Sequence, residues 1–500
     1  MDENIALTSS QDASYGYRLT LAPTRELRDL IVCLRVQDGR PWLIVWGETG
    51  VLPRSRSREH WAELETDVRD IKDLSAQLLA DWKAFVDYQP ADRAAGIRPY
   101  ATGADLSSRP PGEVQRRVAE LVRAGSHLLD TLLSGHDPNL LRLRAFLATA
   151  LHRRDLRIRF DSDLDLPWPL LAVGEEVPPI SGPPPAPAPY ASLTVPYDVQ
   201  VSSVASPPTA PGAPGSSPAG APGSAPESPA ERPADNPTAP TAPSELAQLF
   251  DLFLGHRHLI ETASGAYETD FYYAASRARP ISSANVDEGL RRASRVPEAQ
   301  RVAAEVHKLL DDQTELTERT DSDTLLADLG TAHFDEDLMY FFCHGAVLRD
   351  GDSTWQAFQL TDARAVHAGR IDSIRKRHTE ANRTRGEFVP FHPMVVLNVC
   401  YAGSPMTGRF ASLAGSFIQH GAQGVLAPSI AVPQLFGAEF ALRFLTRYLV
   451  DRSAAGEAVR DTVRWFAAEY HNPLGLIYGL HCGLDSRLPP AAPDEGATAP

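Results

Sequence analysis

Two short apolar runs, each ending in a chemically active side chain, constrain this chain more than anything else in it. The first is Leu338-Met339-Tyr340-Phe341-Phe342-Cys343-His344-Gly345. The second is Met394-Val395-Val396-Leu397-Asn398-Val399-Cys400-Tyr401-Ala402-Gly403. Unbroken apolar runs of this length are the pattern of strands buried on both faces, as in a parallel sheet. Each run is expected to end in a turn, one at His344-Gly345 and one at Cys400 and the small residues after it. The carboxyl ends of parallel strands share one edge, where open α/β folds place their sites. A base and a nucleophile are thereby delivered to the same edge.

The sequence around the two runs alternates strand and helix patterns from about residue 270 to 485, as a doubly wound α/β unit requires. Helical spacing predicts helices over 296–310 and 321–329, and the strongly charged 371–387 is expected to be a helix and exposed loop before Cys400. After it come a helix over 410–420 closed by Gly421, a strand over 425–430, helices over 435–450 and 456–470, and a last apolar run over 474–480. Upstream, residues 113–134 give an amphipathic helix and Leu156 to Phe160 a short strand. Asp161, Asp163 and Asp165 follow, but Pro167 and Trp168 stand where a calcium loop needs further oxygen ligands, so this is a solvated loop before an anchoring Trp.

Residues 1–105 are expected to form a small α+β unit of their own. Strands are predicted over 17–21, 30–36 and 42–46, with Asp38-Gly39 as a hairpin turn, and a helix over 58–86. The Gly47-Glu48-Thr49-Gly50 stretch lacks the lysine and length of a phosphate loop. With no active-site pattern, this unit is assigned to regulation or partner contact. From Pro207 to Pro243, 12 of 37 residues are proline and none is aromatic. Such a segment buries too little surface to offset its ordering entropy. Residues 205–243 are therefore expected to be a disordered insert, a linker or a proline-rich ligand, and a strand over 190–201 would place it inside a domain. Residues 489–500 are expected to be a disordered tail.

Composition excludes several functions. Five hundred residues exceed one ordinary core. A net charge of −16 with no dense basic block argues against direct nucleic-acid binding. No apolar stretch reaches the roughly 18–20 residues of a membrane span, and the first residues have no secretory pattern. Four cysteines do not make a disulfide framework. A reducing, cytoplasmic setting is the expectation, and it keeps a catalytic thiol usable.

A thiol is a strong nucleophile only as thiolate, and a neighbouring imidazole can hold or make it so. His344 is assigned as general base and acid and Cys400 as nucleophile. The backbone amides of Gly345 and Cys400 are the candidate oxyanion donors, glycine allowing close approach of backbone to substrate. Either residue alone on an apolar strand would be ordinary core. Together at two strand ends, with Cys400 standing 56 positions after His344, they form a site hypothesis. A zinc site from Cys343, His344, His481 and Cys482 is disfavoured because adjacent strand residues point to opposite faces. No metal and no cofactor is expected.

These motifs resemble a CHAT domain, a branch of the caspase- and separase-like cysteine peptidases. The resemblance rests on the two runs, on Phe417-Ile418-Gln419-His420-Gly421-Ala422-Gln423-Gly424-Val425-Leu426-Ala427, and on Asn472-Pro473-Leu474-Gly475-Leu476-Ile477-Tyr478-Gly479-Leu480. Leu166-Pro167-Trp168-Pro169-Leu170-Leu171 resembles the family's opening Pro-Trp-Glu-Leu-Leu, with Pro169 in place of the Glu. The similarity spans 113–488 around the insert. It implies a caspase-like, mostly parallel sheet flanked by helices, a dyad on His344 and Cys400, and cleavage of a partner protein in bacterial defence or regulation. It also implies latency until a sensor or partner, here contacted by residues 1–105, rearranges the site. By alignment, Ser429, Ile430, Ala431 and Val432 would contact substrate. Ala431 stands where separase-like members carry an acidic residue, so a neutral or apolar P1 residue is expected. The competing reading is a catalytically silent scaffold that keeps the fold for binding.

Overall fold

The computed structural model describes residues 17–18, 27–47, 51–52, 60–88, 100, 103–174, 244–263, 274–275, 279–292, 296–331, 334–350, 353–385, 392–405 and 412–488. The insert 205–243, the strand expected over 190–201 and the tail 489–500 lie outside them. The strands in chain order are β1 (Tyr17–Arg18), β2 (Leu30–Gln37), β3 (Arg40–Gly47), β4 (His60–Glu63), β5 (Arg157–Ser162), β6 (Leu259–Ala263), β7 (Ala274–Ala275) and β8 (Ile281–Val286). They continue as β9 (Glu315–Arg319), β10 (Leu338–Asp350), β11 (Ser353–Gln359), β12 (Ala365–His367), β13 (Met394–Val399), β14 (Gly424–Pro428) and β15 (Tyr478–His481). β1 and β7 pair only with each other; the other thirteen form one mixed, mostly parallel sheet.

Across that sheet the order is β9-β8-β10-β13-β14-β15-β6-β5-β2-β3-β4. From β9 to β14 the ladders are parallel, β14 and β15 are antiparallel, and β15, β6, β5 and β2 are again parallel to one another. Helices cover both faces, and two hydrophobic cores result. One holds Val302, Val306, Phe436, Phe440 and Phe466 from the helices Pro297–Gln313, Gln434–Leu445 and Ala455–Glu469. The other holds Leu325, Ile371, Leu413 and Phe417 from Ser322–Leu329, Ala368–Arg385 and Leu413–Gln419. Each large apolar side chain buried this way contributes roughly 1.5–3 kcal/mol.

Residues 30–86 do not form a core of their own. β2 pairs in parallel with β5, and Leu30, Val32, Trp82 and Leu128 belong to the same core as Phe440 and Tyr478. The boundary expected near residue 105 therefore does not separate two cores. The helix expected over 58–86 divides as well. His60–Glu63 closes the sheet edge as β4, and the helix begins at Val68, where the Asp67 carboxylate accepts the Asp70 amide as its N-cap. Apolar spacing continues through the junction because Ala62 and Leu64 also point into the core. The expected Asp38-Gly39 turn is present, with both φ angles positive as a type I′ hairpin needs.

The His-bearing run does not stop at His344-Gly345 as expected. Leu338 to Cys343 lies in the parallel ladder with β13, and His344 to Asp350 continues as an antiparallel hairpin with β11. His344 sits at that junction. The run over 474–480 is a 3₁₀ turn, Pro473–Ile477, followed by β15 antiparallel to β14. The helix over 435–450 is α-helical only to Leu445 and ends in a π-turn, Thr446–Val450.

Candidate active site

Strand alternation decides where the two candidate residues point. On β10, Leu338, Tyr340 and Phe342 enter the first core and Met339, Phe341 and Cys343 the second. On β13, Met394 and Val396 enter the first, and Val395, Leu397 and Val399 the second. The ladder's last pair is Cys343 with Val399. His344 and Cys400 follow in step, one position further on adjacent strands, both with the parity of Tyr340 and Val396. Cys343 is packed on the opposite side, and burial pushes its thiol well above the ordinary range. Cys343 and His344 thus diverge to opposite faces, which takes the geometry away from a zinc site.

The backbones meet as closely as the side-chain parity implies. A β-carbon at Gly345 would stand 2.1 Å from the Cys400 carbonyl oxygen and 2.8 Å from its amide nitrogen. Only glycine permits that approach. The two residues assigned as oxyanion donors are therefore backbone neighbours. Beyond Cys400 the chain turns through Tyr401 at φ +64°, and the Ala402 amide donates to Val399 O and the Gly403 amide to Pro428 O.

Gln356 on β11 holds this turn from one side. Its amide nitrogen donates to Tyr401 O and Ser404 O, both at 2.8 Å, and its oxygen accepts the Leu413 amide at 2.9 Å. It is 1 % exposed. Nothing in the sequence singled it out, since β11 alternates like any hairpin strand.

The segment 429–432 lines the same turn from the other side. Ser429 is buried and donates through both its amide and its hydroxyl to Ile477 O, so its polar groups are engaged in the fold. Ile430 is buried too, and its carbonyl accepts the Tyr401 amide at 3.3 Å. Ala431 and Val432 are half-buried, and Val432 O lies 4.0 Å from Cys400 Sγ. Burial raises the Cys400 thiol above its ordinary pKa. Beside this segment is a small cleft lined by Leu166, Pro169, Leu476 and Ile477, with Gly403 and Ser429 also in its wall and Asp165 as its carboxylate.

The His344 side chain is 61 % exposed, and its Nε2 lies 3.7 Å from Asp287 Oδ2. Asp287 follows β8, the strand on the other side of β10 from β13. Sequence reasoning missed it because β8 reads Ile-Ser-Ser-Ala-Asn-Val, too polar for a strand inside a sheet. Its polar residues are buried and each makes a hydrogen bond: Ser282 bonds Thr314, Ser283 donates to Glu336, and Asn285 donates to Ser283 and Tyr340 O. The one available signal was Asp287-Glu288-Gly289 opening a helix after Val286.

Sheet, flanking helices and edge residues define an α/β protein with a histidine and a cysteine at the carboxyl ends of adjacent parallel strands. The chain carries a CHAT domain: that family's model matches residues 226–474, narrower at both ends than the 113–488 span of the motif resemblance. It is 28 % identical over 144 residues to a "probable protease" of Vitiosangium sp. (strain GDMCC 1.1324), a match covering 28 % of this chain and 17 % of that protein. Among solved structures it is similar to two crystal structures of the Saccharomyces cerevisiae separase–securin complex. These match with TM-scores of 0.41 and 0.40 at 9 % and 8 % identity, covering 91 % of this chain and 30 % of the other. The chain thus spans less than a third of the length of each. Among the described residues, no helix is long and apolar enough to cross a membrane.

Proposed function

We propose that this chain is a cysteine endopeptidase whose working pair is His344 and Cys400. The observation that carries the proposal is that His344 and Cys400 each stand one residue beyond Cys343–Val399, the last registered pair of two adjacent parallel strands, with Gly345 against the Cys400 backbone. In the reaction, the His344 imidazole takes the Cys400 proton as sulfur attacks the scissile carbonyl. The amides of Gly345 and Cys400 stabilise the oxyanion. The imidazolium then gives its proton to the leaving amine, and water attacks the resulting thioester by the reverse proton path, releasing the acid and restoring the thiol.

The resting thiol is half-buried, with a pKa that burial raises above its ordinary value, and is faced by the Val432 carbonyl. That supports a latent enzyme in which movement of the 401–405 turn or the 429–432 segment precedes catalysis. A partner protein acting through residues 1–105 would supply that signal, and a bacterial defence or regulatory system is the setting the family suggests. With Ala431 uncharged, the substrate residue at P1 is neutral or apolar.

The test co-expresses the chain with the products of neighbouring genes and compares wild type with Cys400→Ala and His344→Ala by sequencing new protein termini. Cleavage of one partner, lost in both variants, is the expected result. Identical behaviour of all three proteins would leave the scaffold as the better account.

A further inference from the structure

We propose that Asp287 is a positioning residue for His344, making the working unit Asp287–His344–Cys400. This rests on the peptidase reading above and extends it.

The strand order β8-β10-β13 sets the geometry. Asp287 follows the last residue of the first strand, His344 the last parallel-paired residue of the second, and Cys400 the last residue of the third. The imidazole therefore stands between a carboxylate on one side and the thiol's strand on the other, along a single sheet edge. A carboxylate there favours the ring orientation and the imidazolium that proton abstraction creates, as the third member of a triad does.

Asp287 is built to hold still. Its amide donates to Phe342 O at 3.0 Å, and its carbonyl accepts the Leu290 and Arg291 amides at 3.1 and 3.0 Å. Its Oδ1 accepts the Gly289 amide at 2.8 Å, leaving Oδ2 toward His344. The short helix it opens is clamped in turn, with Arg291 donating to both carboxylate oxygens of Glu318 and Gln434 donating to Leu290 O. The Asp287 side chain is 13 % exposed, so its charge is less screened than that of a surface residue. A helix cap alone needs only Oδ1. The second oxygen is the one with no structural task in the cap, and it is the one facing the histidine.

Asp287→Asn separates the two roles, because an Asn oxygen still accepts the Gly289 amide while the charge is gone. The rate of Cys400 carboxamidomethylation by iodoacetamide, followed by mass spectrometry from pH 5.5 to 9 on the full chain, needs no knowledge of the substrate. Asp287→Asn should slow labelling at neutral pH by roughly tenfold, the equivalent of one pH unit. Asp287→Glu should recover part of the rate. In a His344→Ala background, Asp287→Asn should add nothing, since a residue acting through His344 loses its effect when His344 is gone. An equal slowing in both backgrounds, or no slowing in either, overturns the proposal. If His344→Ala itself leaves labelling unchanged, the peptidase reading fails together with it; if Cys400 is not labelled in wild type, Asp287→Asn has nothing to slow and this proposal alone is overturned.

Discussion

Gly345 and Cys400 are packed backbone to backbone, with room at position 345 for a hydrogen and nothing larger. This contact ties the His344 strand to the Cys400 turn without involving either side chain. Gly345→Ala should separate the two by several tenths of an ångström or more. The expected outcome is a loss of about 1–3 kcal/mol in unfolding free energy, typical of overpacking, and a larger loss of activity. Denaturant titration and a cleavage assay measure the two independently.

Gln356 offers a complementary probe, because it shapes the turn without touching substrate in the proposed reaction. Gln356→Glu keeps an acceptor for the Leu413 amide but removes both donors to Tyr401 O and Ser404 O. Unsatisfied buried groups cost about 1–3 kcal/mol each, more when one is charged. The variant should therefore be less stable than wild type and lose activity at least tenfold while retaining its far-ultraviolet circular dichroism.

For specificity, a fluorogenic library varied at P1 should be cut best after neutral or apolar residues. The basis is that Ser429 to Val432 bring no charge to the turn beside Cys400 and that the adjacent cleft is mainly apolar. Cleavage confined to Arg or Lys would contradict this, and loss of such cleavage in Asp165→Asn would then assign the preference to the cleft's carboxylate.

Acid sensitivity follows from His258, which is 1 % exposed and donates from Nε2 to Leu151 O. Burial lowers its pKa from 6.5 to about 4. Below pH 6.5 the unfolded chain binds a proton that the folded one does not, so stability falls as pH drops from about 6.5 toward 4. The full effect is roughly 3 kcal/mol, present above the upper pH and lost by the lower. His258→Gln keeps a donor for the Leu151 carbonyl and should flatten this part of the stability–pH curve.

The placement of His344 and Cys400 just past neighbouring strand ends was legible in the sequence, and the reasons are physical. Two unbroken apolar runs match doubly buried strands, and parity then sends Cys343 inward and His344 to the opposite face. The Asp38-Gly39 turn was equally plain, because the I′ geometry asks for those residues. Polar residues inside the sheet concealed the rest. β8 carries Ser282, Ser283 and Asn285, which are buried only because Thr314, Glu336 and Tyr340 O meet them, and those partners come from distant parts of the chain. Missing β8 meant missing Asp287. The split of the first helix at Thr66-Asp67 was hidden for the opposite reason, since Ala62 and Leu64 keep apolar spacing across a strand and a helix that share one core. The division at residue 105 failed because parallel pairing of β2 with β5 links segments more than 100 residues apart, which local pattern cannot reveal.

The most direct test of the central claim is capture of the nucleophile by a substrate-like electrophile. The full chain, with its activating partner once identified, is incubated with a peptidyl acyloxymethyl ketone bearing a neutral P1 residue and analysed by tandem mass spectrometry. The account predicts a single adduct on Cys400, absent in Cys400→Ala and slowed at least about a hundredfold in His344→Ala, the scale of a lost general base. An adduct that forms at the same rate without His344, or that forms on Cys33, Cys343 or Cys482 and not on Cys400, would contradict it.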